Sequence, residues 1–186
     1  MQDAKPFTMD LSVAELRVLV RRSIVTKKPP TLGRVWSLVK PTQEITMDIL
    51  EMNKGVIEEF RSNGGVCSGW LEGAPVILMT MTGAKSGREL CSPLVYSMDG
   101  DDVIVIASKG GAPEHPNWYH NLVANPGVTI EIGTDKWEAN AVLIADESER
   151  KRVYDAQAAL MDNFKEYEKS ATEAGRVIPV FRLVKA

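Results

Sequence analysis

The chain has 186 residues, of which 44% are hydrophobic and 25% charged, and its formal net charge at pH 7 is −3. This length and composition are typical of one globular domain with a proper core, and no apolar run is long enough for a membrane-spanning helix. Two cysteines and two histidines argue against a disulfide framework and a metal site. Because no secretory signal is recognisable at the N-terminus, we expect a cytoplasmic protein whose cysteines are reduced.

The basic residues are concentrated near the N-terminus. Residues 16–40 contain seven basic residues and no acidic one. Because the whole chain has a net charge of −3, the residues outside this segment carry a net charge of −10. Ser12 and Glu15 form a capping-box pattern, and apolar residues then recur at helical spacing. We predict a basic helical arm over residues 1–45. Its segment 12–40 either makes a peripheral contact with an anionic membrane or presents a solvated helix face, and the acidic remainder argues against nucleic acid as a partner.

Residues 46–186 are predicted to form the main domain. After a helix over about 46–61, six short apolar runs follow, mostly joined by tight turns, and Asp146 can cap a helix that continues to about Lys169. Such connections favour antiparallel pairing over a doubly wound parallel sheet. We therefore predict an α+β protein with a mainly β core, a six-stranded antiparallel barrel flanked by helices. The predicted strands cover residues 76–81, 92–98, 103–107, 128–132, 136–145 and 178–184.

Two polar segments that follow predicted strands are candidates for ligand binding. The first, Thr82–Arg88, contains glycines that expose backbone N–H groups, and its lysine, serine and arginine add donors. Such a nest can hold a phosphate, although the same composition also suits an ordinary polar turn.

The second segment, Ser108–Asn121, combines a Lys-Gly-Gly sequence with two prolines, a tryptophan and an amide. The prolines keep the chain extended, Trp118 can lie against a planar ring, and Asn121 falls one helical turn further on the same face. Alternatively, Trp118 is a core residue that covers the end of the barrel. Together the two segments indicate a phosphorylated ligand that contains a ring.

Tyrosines are the candidates for proton transfer. A phenol in a pocket can orient a substrate or supply a proton, although a tyrosine by default packs with its hydroxyl satisfied at the surface. No Ser/His/Asp arrangement is recognisable, so covalent hydrolytic catalysis is not supported. The tyrosines are Tyr96, Tyr119, Tyr154 and Tyr167.

Several of these motifs together resemble the deazaflavin-dependent nitroreductase family, which are actinobacterial flavin/deazaflavin oxidoreductases. The resemblance extends over roughly residues 50–184 and is carried by Glu59–Gly65, Pro75–Gly87, Ser92–Tyr96, Ser108–Asn121 and Arg176–Val180. It implies a split β-barrel of the FMN-binding, pyridoxamine-oxidase-like type. It also implies coenzyme F-420 as cofactor, an 8-hydroxy-5-deazaflavin with a phosphate and an acidic oligoglutamate tail.

The resemblance further implies residue roles. The Lys-Ser-Gly turn and the Lys-Gly-Gly loop would hold the phosphate and tail, and the strand that ends near Tyr96 would pass the ring. Our own hypothesis for the reaction adds that Tyr96, Tyr167 or water protonates the product. Many members carry arginine where this chain has Leu90, a position for which Arg88 or Arg61 could substitute. The predicted cofactor-binding residues are Lys85, Ser86, Gly87, Pro93, Leu94, Val95, Ser108, Lys109, Gly110, Gly111, Ala112, Pro113, Trp118 and Asn121.

The function that this resemblance implies is hydride transfer from reduced F-420 to a small electron-poor substrate. Quinones, enones or lactones are the expected substrates, with nitroaromatics as promiscuous ones. Two alternatives remain open from the sequence: an FMN-dependent reductase of the same fold, and an F-420 carrier without catalysis. The sequence also leaves open whether the protein is a monomer or a homodimer.

Overall fold

The computed structural model of the protein describes residues 42–186. Segment 12–40 of the predicted basic arm, which is the part proposed to contact a membrane, lies outside these residues. Within the described residues, no helix is both long and apolar enough to cross a membrane.

Six antiparallel strands form a closed barrel, which confirms the predicted fold. The strands neighbour one another in the order β1-β2-β3-β6-β5-β4, so the last strand of the chain inserts between β3 and β5 and completes the barrel. The bounds are β1 Val76–Thr82, β2 Glu89–Asp99, β3 Asp102–Ile106, β4 Gly127–Ile132, β5 Asp135–Leu143 and β6 Val180–Lys185.

The continuous apolar run of β1 is explained by burial on both of its faces. Alternate residues of a strand point to opposite sides. Ile77 and Met79 therefore belong to the cluster inside the barrel, whereas Val76 and Leu78 pack outside it with Phe60. A strand covered on both sides has no need of polar alternation.

Within residues 42–186, four α-helices and two short 3-10 turns accompany the barrel. A second core cluster joins residues of β3 and β6 to the helices that precede β6, so a helical layer covers this side of the barrel. The helices are α1 Thr42–Ser62, α2 Asn117–Ala124, α3 Glu147–Leu160 and α4 Asn163–Glu173, and the 3-10 turns are Gly69–Leu71 and Lys109–Gly111.

The single helix predicted from Asp146 to about Lys169 is wrong, because the chain breaks it into α3 and α4. Asp146 caps α3 as expected, and its side chain accepts a hydrogen bond of 2.9 Å from the backbone N–H of Glu149. The break lies at Met161, which takes an extended conformation with its side chain buried in the outer core. The buried hydroxyl of Tyr154 then donates a 2.7 Å hydrogen bond to the carbonyl of Phe164, which fixes the start of α4 against α3.

Candidate functional site

A cavity of about 240 Å³, here called the main cavity, lies between β2, the segment after β3, α2 and α4. Strand β2 and the helices supply mainly apolar and aromatic side chains, and the segment after β3 supplies polar backbone. Eight of the predicted site residues line it: Pro93, Leu94, Val95, Ser108, Lys109, Gly110, Trp118 and Tyr167. Seven residues that were not predicted also line it: Trp70, Leu71, Ile106, Pro116, Met161, Asn163 and Phe164.

The polar wall of the cavity belongs to residues 108–116, here called the Lys109 loop. Ser108 is right-handed helical with φ −67° and ψ −45°, and it is followed by Lys109 with φ 49° and Gly110 with φ 60°. A right-handed residue followed by left-handed ones turns successive N–H groups towards one point, which is the geometry of an anion-binding nest. Within residues 42–186, the N–H groups of Lys109 and Gly110 donate no backbone hydrogen bond and so remain available.

The backbone of Lys109 is unusual in its conformation. Among the described residues it is the only one other than glycine with positive φ. A side chain in this region costs conformational energy, which folds accept mainly where the backbone geometry itself has a use. The Lys109 ammonium makes an exposed ion pair with Glu114 at 3.2 Å, and such a surface pair leaves its charge largely available to a ligand.

Gly111 brings the Lys109 loop into direct contact with α4. A Cβ at this position would lie 2.9 Å from the carbonyl oxygen of Tyr167 and 2.9 Å from the Cβ of Ser170, and φ is +75°. Only glycine allows this approach without displacement of the helix backbone. The contact keeps Tyr167 beside the nest.

Arg176 holds the Lys109 loop in shape, and the sequence analysis assigned no role to it. The side chain is buried, with 6% exposure, and donates to the carbonyl oxygens of Ala107, Ser108 and Ala112, at 3.0 Å for Ser108. Its Nε also donates to His115 Nδ1 at 3.1 Å. These partners precede it by 61 to 69 residues, so no local pattern points to them.

His115 must be neutral at Nδ1 to accept this hydrogen bond. Burial, and then the positive charge of Arg176, lower the pKa of His115 below its usual value. The imidazole therefore acts as a hydrogen-bond acceptor within the loop.

The second polar segment, residues 83–88 between β1 and β2, is here called the Lys85 turn. Its predicted cofactor residues Lys85, Ser86 and Gly87 are exposed and do not line the main cavity. Gly83 N–H donates to the Arg88 carbonyl at 2.8 Å, which closes the turn. Among the backbone hydrogen bonds of residues 42–186, none is donated by the N–H of Lys85 or Ser86, so the turn retains two free donors.

Helix α2 connects the two polar segments. Asn121 accepts a 2.9 Å hydrogen bond from the N–H of Ala84, so its side-chain oxygen supports the Lys85 turn. Trp118, one turn earlier, is half-buried, and its ring lies 6.1 Å from that of Phe181 while it also lines the main cavity. Both interpretations of Trp118, as a cover of the barrel core and as a wall of the ligand site, agree with this position.

The two tyrosines proposed for proton transfer lie in different cavities. Tyr167 lines the main cavity, and its phenol oxygen accepts a 3.1 Å hydrogen bond from Asn163 Nδ2. Tyr96 lines a second cavity of about 210 Å³ with Gln157 and Leu160, and Met161 is the residue common to both cavities. Tyr154 is fully buried, and burial raises its pKa, so it serves the core.

The remaining predicted residues support the site without lining it. Ala112 contributes a carbonyl to Arg176, and Pro113 is exposed beside it. Of the two arginines considered as replacements at the position of Leu90, Arg61 is engaged with Glu131 through two hydrogen bonds of 3.0 and 2.6 Å. Arg88 lies in the exposed Lys85 turn.

Comparison with known proteins agrees with this geometry. Residues 53–185 match the model of the F420H2-dependent quinone reductase family, in which F420H2 denotes reduced coenzyme F-420. An F420H2-dependent quinone reductase of Mycobacterium tuberculosis is 34% identical over 128 residues, which cover 68% of this chain and 85% of that protein.

Two solved structures extend the comparison. An F420-H2 dependent reductase, FDR-A, is 34% identical with a TM-score of 0.52, over 59% of this chain and 93% of its own. A structure described as a domain-swapped dimer is 31% identical with a TM-score of 0.55, over 74% of this chain and 98% of its own. The predicted F-420-dependent oxidoreductase is thereby confirmed: the chain belongs to the F420H2-dependent quinone reductase family.

Proposed function

We propose that this protein reduces quinones with reduced F-420, with the anionic part of the cofactor held at the Lys109 loop and the Lys85 turn and its ring in the main cavity. The observation that carries the proposal is the nest at Ser108–Gly110, because it offers free N–H groups and a lysine at the polar wall of an otherwise apolar cavity.

The residues present fit the chemistry of this cofactor. A phosphate and an acidic tail need cationic groups and N–H dipoles, which the Lys109 loop offers at Lys109 and Gly110 and the Lys85 turn offers at Lys85 and Ser86. A flat ring needs an apolar slot with an aromatic side chain, which Pro93, Val95 and Trp118 offer. Asn121 connects the two anion sites, so it contributes by holding the Lys85 turn in place.

The roles of the protein residues follow from this arrangement. The bound cofactor supplies the hydride. The apolar walls of the main cavity limit access of water, and the nest fixes the orientation of what binds there. Conversion of a quinone to a hydroquinone needs one proton in addition to the hydride, and we assign its delivery to the Tyr167 hydroxyl. Tyr167 is favoured over Tyr96 because it shares the main cavity with the Lys109 loop.

The first experiment measures F-420 binding by calorimetry in Lys85→Ala and Lys109→Ala. Each change should weaken binding by about 1–3 kcal/mol, the range for a charge-assisted contact. Lys136→Ala is the matched control, since Lys136 is exposed and neither lines a cavity nor belongs to either polar segment. Unchanged affinity in both site variants would show that the assigned anion sites are wrong.

The second experiment tests the reaction with F-420, FMN and NADPH as alternative electron donors. A quinone, an enone and a nitroaromatic serve as acceptors. We expect the protein to reduce the quinone when reduced F-420 is the electron donor, and not when FMN or NADPH is the donor. Turnover with FMN would favour a flavin enzyme of the same fold, and binding of F-420 without turnover of any acceptor would favour a carrier.

The N-terminal arm adds a proposal about location. We assign residues 1–45 to a basic arm and residues 46–186 to the catalytic domain, with the boundary inside helix α1. We further propose a cytoplasmic protein that contacts anionic membranes through residues 12–40, supported by the charge of that segment. Flotation with anionic and neutral vesicles tests this, with a 41–186 truncation that retains α1 as the control. Equal flotation of both proteins would refute the contact.

A small-molecule substrate fits this activity, and the assembly state can be measured directly. The relative with a domain-swapped dimer structure makes a homodimer the arrangement to test first. Light scattering of the full chain at two concentrations distinguishes it from a monomer.

A further inference from the structure

Asn163 has an arrangement that folding alone does not explain. It is the first residue of α4, lines the main cavity, and lies one helical turn before Tyr167. Residues four apart share one face of a helix. Its Nδ2 donates to the phenol oxygen of Tyr167 at 3.1 Å.

The direction of this hydrogen bond decides what the phenol can do. A phenol oxygen carries one hydrogen and can also accept. With the amide in this orientation, the oxygen of Tyr167 accepts from Asn163, so its own O–H is not used on Asn163 and remains available as a donor. A partner that only accepts would take up that hydrogen instead.

The side-chain oxygen of Asn163 also indicates that the N–H group is the functional part of this amide. Asn163 Oδ1 is buried and has no hydrogen-bond partner within residues 42–186. An unpaired buried acceptor destabilises a fold, and each such group in a native protein calls for an explanation. An apolar side chain would avoid this cost, so the amide at this position is explained by its N–H.

We propose that Asn163 is a positioning residue for Tyr167, whose N–H donation keeps the phenol hydrogen free for the substrate. The inference rests on the proposed function, because it assumes that Tyr167 delivers the proton for quinone reduction. It extends that function by a residue that the sequence analysis did not select.

Asn163→Asp is the decisive variant, since it preserves shape but replaces the donor by a carboxylate that only accepts. The Tyr167 hydroxyl should then donate to residue 163, and kcat with a quinone should fall at least about tenfold, towards the value of Tyr167→Phe. In a Tyr167→Phe background the same change should lower kcat less than about twofold, because coupled positions are not additive. Calorimetry with F-420 on all four proteins separates effects on binding from effects on kcat.

A second measurement does not depend on activity. The near-ultraviolet absorption of a tyrosine moves to longer wavelength when its hydroxyl donates a stronger hydrogen bond. We therefore expect a tyrosine difference spectrum between Asn163→Asp and the unchanged protein, and none in the Tyr167→Phe background. Asn163→Ala, which removes the unpaired oxygen, should unfold at a temperature no lower than that of the unchanged protein while its kcat falls.

The outcomes separate the two proposals. A kcat of Asn163→Asp equal to that of the unchanged protein, an equal loss in the Tyr167→Phe background, or the absence of the difference spectrum would overturn the role of Asn163. Failure of the unchanged protein to reduce any quinone with reduced F-420, with the difference spectrum present, would overturn the proposed function and leave the hydrogen-bond direction standing.

Discussion

The Lys85 turn and the Lys109 loop are alike in composition but differ in what gives them their shape. The turn closes through local hydrogen bonds, receives one distant contact from Asn121, and has open space where Gly87 would carry a Cβ. The loop is shaped from far along the chain, by the buried Arg176 and by contact of Gly111 with α4. Similar glycine-rich sequences can therefore be shaped mainly by local hydrogen bonds or mainly by the rest of the fold, and substitutions should distinguish the two cases.

The largest effect is expected for Arg176→Ala. It would remove the guanidinium donor from three carbonyl groups and from His115, and loss of such a buried network costs about 3–5 kcal/mol. We expect a matching fall in the free energy of unfolding by urea, together with loss of F-420 binding. Arg176→Lys should restore neither the stability nor F-420 binding, because one ammonium cannot reproduce the planar set of guanidinium donors.

Arg152→Ala is the matched control for that experiment. Arg152 also makes two hydrogen bonds, both to Asp99, but its side chain is 57% exposed. Surface ion pairs contribute about 0–1 kcal/mol. Equal losses in the two variants would contradict the claim that the Lys109 loop depends on a buried anchor.

The next largest effect distinguishes the two segments directly through their glycines. Gly111→Ala forces a left-handed backbone and a clash with the carbonyl of Tyr167, which together should cost about 2–3 kcal/mol. Gly87 has φ +63°, but no atom lies within 4 Å of the Cβ that Gly87→Ala would add. This variant should therefore lose only the backbone cost of about 1 kcal/mol in its free energy of unfolding.

These two variants should also differ in ligand binding. Gly111→Ala should weaken F-420 binding because it displaces the Lys109 loop from α4, as measured by calorimetry at a temperature where both variants are folded. If Gly87→Ala destabilised the protein as much as Gly111→Ala, the distinction between a local turn and an anchored loop would be lost.

The smallest effect concerns pH. The folded pKa of His115 lies below its ordinary value of about 6.5, so the unfolded chain takes up a proton first as the pH falls. The stability that neutral His115 contributes is therefore complete above about pH 7 and is lost as the pH falls through about 6.5 towards the folded pKa. Urea midpoints at about pH 7.5 and about pH 5.5 should differ more for the unchanged protein than for His115→Asn, which retains an acceptor but does not titrate.

The fold was predictable because its signals are local. Apolar runs separated by short turns identified all six strands, and the antiparallel barrel followed from the short connections between them. The break at Met161 was missed because α3 and α4 continue one polar and apolar pattern. What separates them is a tertiary hydrogen bond from Tyr154 to the Phe164 carbonyl, which has no signature in the sequence.

The candidate site was predictable only in part, for a similar reason. The lysines, glycines and Trp118 stand out as a composition that core packing does not need. Arg176 and Asn163 do not stand out, because their roles depend on partners in space. The hydrogen bond between Asn163 and Tyr167 depends on how the two side chains are placed in space, which residue types alone do not give.

The position of Arg176 in the chain also has a consequence for biosynthesis. The residue that shapes the Lys109 loop lies only a few positions before β6, the strand that completes the barrel. A growing chain therefore cannot organise this loop until Arg176 has been made, more than 60 residues after its partners in the loop, and contacts so distant in sequence form late in folding. On the function proposed above, a chain that ends before Arg176 would not retain F-420 at this loop.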